Sequence, residues 1–348
     1  MASSSKFFGL DIGNHSIKIV EFRNPDSPTP EIKSFGLAST PEGVLGSENK
    51  EKQQQLAGTI KDLASSIGVD TNNVVLAIPE SQVFSKIDSI PLVDDSKLQE
   101  AVEWLARKIL PIAPEEAKWD WMAIGERDTG TQKLLDILFV SASNMLVERY
   151  VNIAKLAGLE PVAIETEGIA TVRAISHAYP NIQGSVVIVD IGSKSTVISI
   201  MNKSNMIYSN SLATGSDAIT RSITQSFSLT WAQAEEYKKT YGMDPSHFEG
   251  KIAEVIKPII DSLDLEIIKA IEFFRQQYPD LAPTKLLLAG EAALMPGLIT
   301  YIAKGLTIEV ELANPGFNLK MDEKYKDTLI QHLTGFVVSM GLALKTDF

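Results

Sequence analysis

The sequence predicts an α/β protein made of two similar halves, with a small α+β subdomain inserted into the first half. The main observation is a repeated motif: residues 11–16 read DIGNHS and residues 190–195 read DIGSKS. Each copy follows a short apolar run and precedes a second run rich in strand-forming residues, so each is predicted to be the tip of a β-hairpin. Two matching tips, about half a chain length apart, indicate a duplicated fold.

Composition excludes several classes of protein. The 348 residues are 44% hydrophobic, which allows a large core and favours two domains. A net charge of −12 argues against nucleic acid as the main partner, and zero cysteines exclude disulfides and thiolate zinc sites. The sequence shows neither a signal peptide nor an apolar run long enough to span a membrane, so we expect a cytoplasmic protein.

The first half is predicted as strands and one helix in the order β-β-β-α-β. A third strand is predicted over 31–37, a polar surface loop over 40–55, and a strand over 74–78. Between them, Leu56, Ile60 and Leu63 recur at helical spacing before Gly68. Residues 1–80 and 160–183 are assigned to the first domain, together with a closing helix over 331–348.

Residues 81–159 interrupt this pattern and are predicted to form an inserted β-α-β-β-α subdomain, a small sheet covered by two helices. The second domain is assigned to residues 184–330. In it, Thr230 and Gln233 predict a capping box, Pro258 a kink in a long helix, and residues 285–289 a buried strand. The last helix is predicted over about 332–345.

The two hairpin tips are the strongest candidates for chemistry. An Asp-Gly turn is often only a good hairpin turn, and for one copy alone we favour that interpretation. The pairing instead favours a phosphate clamp, in which backbone N–H groups of both tips bind phosphate oxygens and the two carboxylates hold Mg²⁺ through water. The candidate residues are Asp11, Gly13, Asn14, His15, Ser16, Asp190, Gly192, Ser193, Lys194 and Ser195.

Three further sites are weaker candidates. On spacing alone, Glu235 and Lys238 are best interpreted as an ordinary surface pair on a helix. Glu167 is most simply a helix N-terminal acid, although a carboxylate there can orient an attacking water. Gly290, followed by Glu291, marks a strand-to-loop turn against which a base can lie.

With these residues assembled, the chain resembles the actin-like ATPases, which have a duplicated ribonuclease H-like fold. Within them it is most similar to the PilM family of type IV pilus assembly, relatives of the cell-division protein FtsA. The resemblance covers essentially the whole chain, and the inserted subdomain falls where these proteins carry their small extra subdomain. Its most specific segments are residues 8–13 (FGLDIG), 189–196 (VDIGSKST) and 234–243 (AEEYKKTYGM).

The resemblance implies ATP and Mg²⁺ in the cleft, with Asp11 and Asp190 at the metal and both tips at the phosphates. It places Glu235 and Lys238 near the nucleoside and makes Glu167 the candidate catalytic acid. Relatives have a glycine-rich run at Gly290. Here Glu291 and Ala292 follow instead, and a carboxylate beside the base predicts weakened nucleotide affinity.

The resemblance also implies a partner, the short N-terminal cytoplasmic peptide of the inner-membrane protein PilN. The expected function is an ATP-binding adaptor, at most a slow ATPase, that reaches the inner face of the membrane through this partner and not through an anchor of its own. Three alternatives stay open: a self-associating FtsA-like filament protein, an adaptor of type II secretion, and a sugar-kinase-like enzyme.

Overall fold

Two five-stranded sheets with the same strand arrangement form the two halves of the protein. The computed structural model describes residues 6–112, 115–323, 329 and 332–346. The first sheet has the order β3-β2-β1-β4-β8 and the second the order β11-β10-β9-β12-β13. In each sheet the central strand is the first strand of the hairpin. It pairs antiparallel with the second strand of the hairpin and parallel with the neighbouring strand on its opposite edge. The predicted duplication is therefore confirmed.

The strand bounds agree with the sequence at most positions. The first sheet contains β1 (Phe8–Ile12), β2 (Ser16–Arg23), β3 (Glu31–Ser39), β4 (Asn73–Ile78) and β8 (Glu160–Thr166). The second contains β9 (Ser185–Ile191), β10 (Thr196–Asn202), β11 (Asn205–Leu212), β12 (Pro283–Ala289) and β13 (Glu309–Leu312). The short edge strand β13 was not predicted, because its residues are only partly buried and carry no clear alternation.

Helices pack on the sheets. Among the described residues they include α1 (Lys50–Ser66), α2 (Asp95–Ile109), α3 (Asn144–Leu156), α4 (Glu167–Ala178), α5 (Ser216–Phe227), α6 (Trp231–Thr240), α7 (Lys251–Gln277), α8 (Leu298–Gly305) and α9 (Val337–Ala343). The capping box at Thr230 and Gln233 is present. Helix α7 continues through Pro258 without ending there.

Two helix predictions are wrong at their ends. The loop predicted over 40–55 ends early, because α1 begins at Lys50, where the Asn49 side chain accepts hydrogen bonds from the N–H groups of Glu51 and Lys52. The closing helix is shorter than predicted: a 3₁₀ turn over Leu333–Phe336 precedes α9. Residues 331, 347 and 348 of that prediction lie outside the described residues.

The inserted subdomain has the predicted order of elements but a different packing. Its sheet has the order β5-β7-β6, from Phe84–Pro91 (β5), Ala117–Asp128 (β6) and Lys133–Ser143 (β7). Helix α2 covers this sheet. Helix α3 does not share that core: Leu146, Tyr150 and Ile153 are buried with residues of α1 and the first sheet. The expectation of two helices covering the small sheet is therefore wrong, because the apolar face of α3 lies on the larger sheet.

We call the first sheet with α1, α3, α4 and α9 the first lobe, and the second sheet with α5 to α8 the second lobe. Helix α4 touches both sheets and joins the lobes. Helix α9 packs between α4 and strand β1. The contact between α9 and α4 is so close that a Cβ at Gly341 would overlap the carbonyl oxygen of Ala170.

The mutation Gly341→Ala should destabilise the protein by about 1–3 kcal/mol, because an added methyl group in a packed contact forces the two helices apart. The matched control is Gly58→Ala on α1, where a Cβ has open space. It should be neutral or stabilise by about 0.5–1 kcal/mol through helix propensity. Urea denaturation of both variants measures the difference, and equal stabilities would contradict the close helix contact.

Candidate functional site

A cavity of 480 Å³ is bordered by residues of both lobes, and every candidate residue predicted from the sequence lines it. The first hairpin tip contributes one side, the second tip another, and α6 and the turn after β12 the remainder. The predicted residues in its lining are Asp11, Gly13, Asn14, His15, Ser16, Glu167, Asp190, Gly192, Ser193, Lys194, Ser195, Glu235, Lys238, Gly290 and Glu291.

The two hairpin tips have the same backbone geometry. The N–H of Gly13 donates to the carbonyl oxygen of Ser16 at 3.0 Å, and the N–H of Gly192 donates to that of Ser195 at the same distance. A Cβ on either glycine would lie 2.9 Å from the carbonyl oxygen across the turn, so both turns need glycine. The repeated motif therefore builds the same loop twice, with both copies at one cavity.

Asp11 and Asp190 stand at the carboxyl ends of the central strands β1 and β9. Burial raises the pKa of Asp11 above its ordinary value; Lys18 opposes this shift and Glu291 adds to it. Burial and then the charge of Asp11 raise the pKa of Asp190 to about 7. Two buried carboxyl groups that repel each other favour a bound cation, because the cation would allow both to ionise.

Magnesium fits this arrangement. Among residues 6–112, 115–323, 329 and 332–346, no group of three or more His, Cys, Asp or Glu side chains could hold a metal ion. Mg²⁺ is commonly held by one or two carboxylates together with substrate phosphates and water, and a complete protein cage is not required. The residues that would hold it here are Asp11 and Asp190.

Glu167 begins helix α4, which joins the lobes, and is partly buried at the edge of the cavity. Burial first, and then the charge of Asp11, raise its pKa to about 8. Its carboxylate accepts a hydrogen bond of 3.1 Å from the N–H of Glu80, while the Glu80 carboxylate accepts one of 3.2 Å from the N–H of Gly168. At neutral pH the Glu167 side chain is mainly protonated and can donate a proton to a neighbouring oxygen.

Glu80 was not predicted from the sequence. It is buried and its carboxylate also accepts hydrogen bonds from Ser85 of β5 at 3.0 Å and from Ser209 of β11 at 2.9 Å. Its partners therefore lie in the inserted subdomain, in α4 and in the second lobe. A glutamate directly after Pro79 at a strand end gave no local signal of these distant contacts.

Glu235 and Lys238 form a buried network, so their interpretation as an ordinary surface pair is wrong. The Lys238 ammonium lies 2.6 Å from Glu235 and donates to the Thr220 hydroxyl at 2.9 Å; Thr220 also bonds Glu235. Lys238 is only 5% exposed. Helix α6 packs against α5, which carries Thr220, and this contact removes the pair from solvent.

Gly290 is required where the backbone passes Asp190. Its φ is +85°, and a Cβ would lie 2.7 Å from the Asp190 carboxylate oxygen. The next residue, Glu291, reaches across the cavity to the first lobe, where its carboxylate lies 3.1 Å from the Lys18 ammonium. Lys18 was missed by the sequence reasoning. The available signal was a lysine between two isoleucines of strand β2, on the same side of the strand as Ser16.

Asp217 is a third residue, after Glu80 and Lys18, that was not predicted from the sequence. It lies in the first turn of α5, and its side chain is 6% exposed. One carboxylate oxygen lies 2.6 Å from Nε2 of His15 in the first tip, and the other 3.0 Å from the Lys194 ammonium in the second. A single carboxylate thus contacts both tips.

Apolar side chains complete the lining of the cavity. Trp231 begins α6 and lies on the same helix face as Glu235 and Lys238, at spacings of four and three residues. Its side chain is 39% exposed, and Leu294 on the turn after β12 is 42% exposed. Both border the cavity together with Ala292 and Met295. A flat aromatic ligand can pack against such a group.

Comparison with known proteins identifies the family. The sequence model described as Type IV pilus assembly protein PilM matches residues 9–347. The chain belongs to the PilM family. A solved structure titled "PilM-PilN type IV pilus biogenesis complex" is similar, with a TM-score of 0.84 and 26% identity, covering 98% of each chain. The resemblance that the sequence motifs indicated is thus confirmed, and the chain is a type IV pilus assembly protein.

Two other proteins are similar to the chain at lower identity. The cell-division protein FtsA of Streptococcus pneumoniae is 22% identical over 90% of this PilM-family chain and 77% of its own length. MreB5 of Spiroplasma citri, solved with AMPPNP, has a TM-score of 0.56 at 13% identity, covering 97% of this chain and 95% of its own. The latter likeness confirms the actin-like fold.

The helices were also compared with the length of a membrane span. Within the described parts of the chain, no helix is both long enough and apolar enough to cross a membrane.

The variant Glu167→Gln should become more stable than the natural protein as the pH rises. In the unfolded protein, Glu167 releases its proton near the ordinary pKa of a glutamate. In the folded protein its pKa is about 8, so it keeps the proton to a higher pH. The folded state therefore binds more protons between these values, and the natural protein loses stability as the pH rises from about 4.5 to about 8. Glutamine removes this loss.

Urea denaturation at pH 5, 6, 7 and 8 measures the effect as a free energy of unfolding. The two proteins should be similar at pH 5 and diverge steadily towards pH 8. Glu148→Gln on α3 is the matched control, because an exposed carboxyl group meets solvent in both states. A difference between Glu167→Gln and the natural protein that does not change with pH would contradict the burial of a protonated Glu167.

Proposed function

We propose that this protein is an adaptor of type IV pilus assembly that binds ATP with Mg²⁺ in the cleft between its lobes. The observation that carries the proposal is a cavity lined by two hairpin tips of the same backbone geometry and by the two aspartates at the ends of the central strands. The nucleotide complexes of the actin-like fold, such as MreB5 with AMPPNP, support the choice of ligand.

Each group of residues has a defined task in this proposal. Backbone N–H groups of the tips bind phosphate oxygens, and Lys194 adds a positive charge. Asp11 and Asp190 would hold Mg²⁺, which neutralises phosphate charge when it is bound. Glu235 and Lys238 hold the nucleoside from α6, and Trp231 packs against its apolar face.

Turnover is expected to be slow. A general base must be unprotonated to accept a proton from the attacking water. Without a cation at Asp11 and Asp190, the pKa of Glu167 is about 8, so at neutral pH only a minority of molecules carry the carboxylate. We propose a binding and scaffolding role for the cleft.

We further propose that the protein binds the N-terminal cytoplasmic peptide of the inner-membrane protein PilN, and that this peptide holds it at the inner face of the membrane. The similar PilM-PilN complex supports this partner. The expected groove lies between the first lobe and the inserted subdomain. Helix α3 stands at that junction and presents Met145 and Leu156 as exposed apolar side chains.

The variant Asp11→Ala should bind Mg–ATP at least about tenfold more weakly than the natural protein, a loss of about 1.4 kcal/mol, because it removes one of the two carboxylates at the metal. Isothermal titration calorimetry measures the affinity. The control is Asp62→Ala on α1, an exposed aspartate far from the cavity lining. If the natural protein shows no binding at millimolar Mg–ATP, nucleotide binding is disproved.

The PilN peptide should bind more tightly in the presence of Mg–ATP, because nucleotide fixes the first lobe, which borders the groove together with the inserted subdomain. Fluorescence anisotropy with a labelled synthetic peptide from the same organism measures this, with a scrambled peptide as the control. Asp11→Ala should give one affinity whether or not Mg–ATP is present. Binding of the natural protein that is unchanged by nucleotide would contradict the coupling, and no binding would contradict the partner.

A further inference from the structure

Cationic side chains that face the cleft are already paired with carboxylates of the protein itself. Two of these pairs cross from one lobe to the other. His15 of the first tip lies 2.6 Å from Asp217, and Lys18 of β2 lies 3.1 Å from Glu291. Both carboxylates belong to the second lobe, and His15 and Lys18 belong to the first hairpin, which is proposed to bind phosphate.

Asp217 is firmly held where it contacts both tips. Its N–H donates to the carbonyl oxygen of Ser193 at 2.9 Å, which ties the start of α5 to the second tip. Its carboxylate oxygens reach His15 on one side and Lys194 on the other, at 2.6 and 3.0 Å. The Asp217 carboxylate therefore engages two side chains, His15 and Lys194, that line the cavity from opposite tips.

Glu291 is accommodated by its surroundings and paired with a buried lysine. The Lys18 side chain is 11% exposed. The Glu291 side chain lies against Gly335, where a Cβ would come within 2.7 Å of Cγ, so glycine leaves the space that Glu291 fills. Although burial opposes ionisation, the Lys18 ammonium holds the pKa of Glu291 below its ordinary value.

We propose that Asp217 and Glu291 are affinity-determining residues of the nucleotide site: their carboxylates occupy the cationic groups that bind polyphosphate, and a ligand has to displace them. This inference rests on the proposed function, since it concerns the same cleft. In this proposal the two carboxylates weaken the binding of the ligand and do not contribute to it.

Binding of a phosphate group at these side chains is an exchange of one anionic partner for another. A phosphate oxygen that replaces a carboxylate oxygen on Lys18 or Lys194 forms one charge-assisted hydrogen bond and breaks another, so the net gain is small. The displaced carboxylate also stays close to the phosphate and repels it. Five carboxyl groups and four lysines line the cavity, which disfavours a free polyanion and favours a nucleotide that carries its own Mg²⁺.

The test is isothermal titration of Mg–ATP, and separately of Mg–tripolyphosphate, into Asp217→Asn, Glu291→Gln and the double variant. Each single variant should bind both ligands about fivefold to tenfold more tightly than the natural protein, because the internal competitor is neutralised while its shape is kept. Tripolyphosphate shows that the gain lies at the phosphates and not at the base. Thermal unfolding establishes that each variant is folded.

The matched control is Glu309→Gln. Glu309 pairs with Lys285 at 3.2 Å, but unlike the partners of Asp217 and Glu291, Lys285 does not line the cavity, so neutralising Glu309 should leave both affinities unchanged. If folded Asp217→Asn and Glu291→Gln bind no tighter than the natural protein, or bind more weakly, this inference is wrong while nucleotide binding stands. If the natural protein and all variants fail to bind either ligand at millimolar concentration, the proposed function itself is wrong, and this inference with it.

Discussion

The burial of two carboxyl groups of like charge, Asp11 and Asp190, is the constraint on which the rest of the site depends. Each ends the central strand of a sheet, and the join between the lobes brings the two ends together. Neither group can ionise freely in this position, and the charge of Asp11 adds to the effect of burial in raising the pKa of Glu167. A divalent cation with bound phosphates is the kind of ligand that relieves such a constraint.

Duplication gives the site a symmetric backbone with asymmetric side chains. The two tips share their hydrogen bonds and their glycines, yet one presents His15 and the other Lys194. Asp217, from the second lobe alone, meets both. Thus the common backbone provides a general phosphate-binding shape, while the side chains that differ between the copies set how strongly a polyanion is retained.

The sequence predicted the local parts of this molecule well. The hairpin tips and the capping box at Thr230 depend on neighbouring residues, so their patterns can be read directly. Lys18, Glu80 and Asp217 were missed because their partners are far away in the chain and meet them only after the lobes pack. The start of α1 was missed because its first six residues face mostly solvent and carry no apolar periodicity, although Asn49 marked its cap.

Glu80 has a consequence for any movement of the lobes. Its one carboxylate is bonded to Ser85 of the inserted subdomain, Gly168 of α4 and Ser209 of the second lobe. A hinge opening of the cleft therefore has to break the hydrogen bond to Ser209 of β11, or strand β5 has to move together with β11. Linkage is reciprocal, so any free energy by which a protein bound to the insertion stabilises the closed arrangement also increases the affinity of the cleft for its ligand.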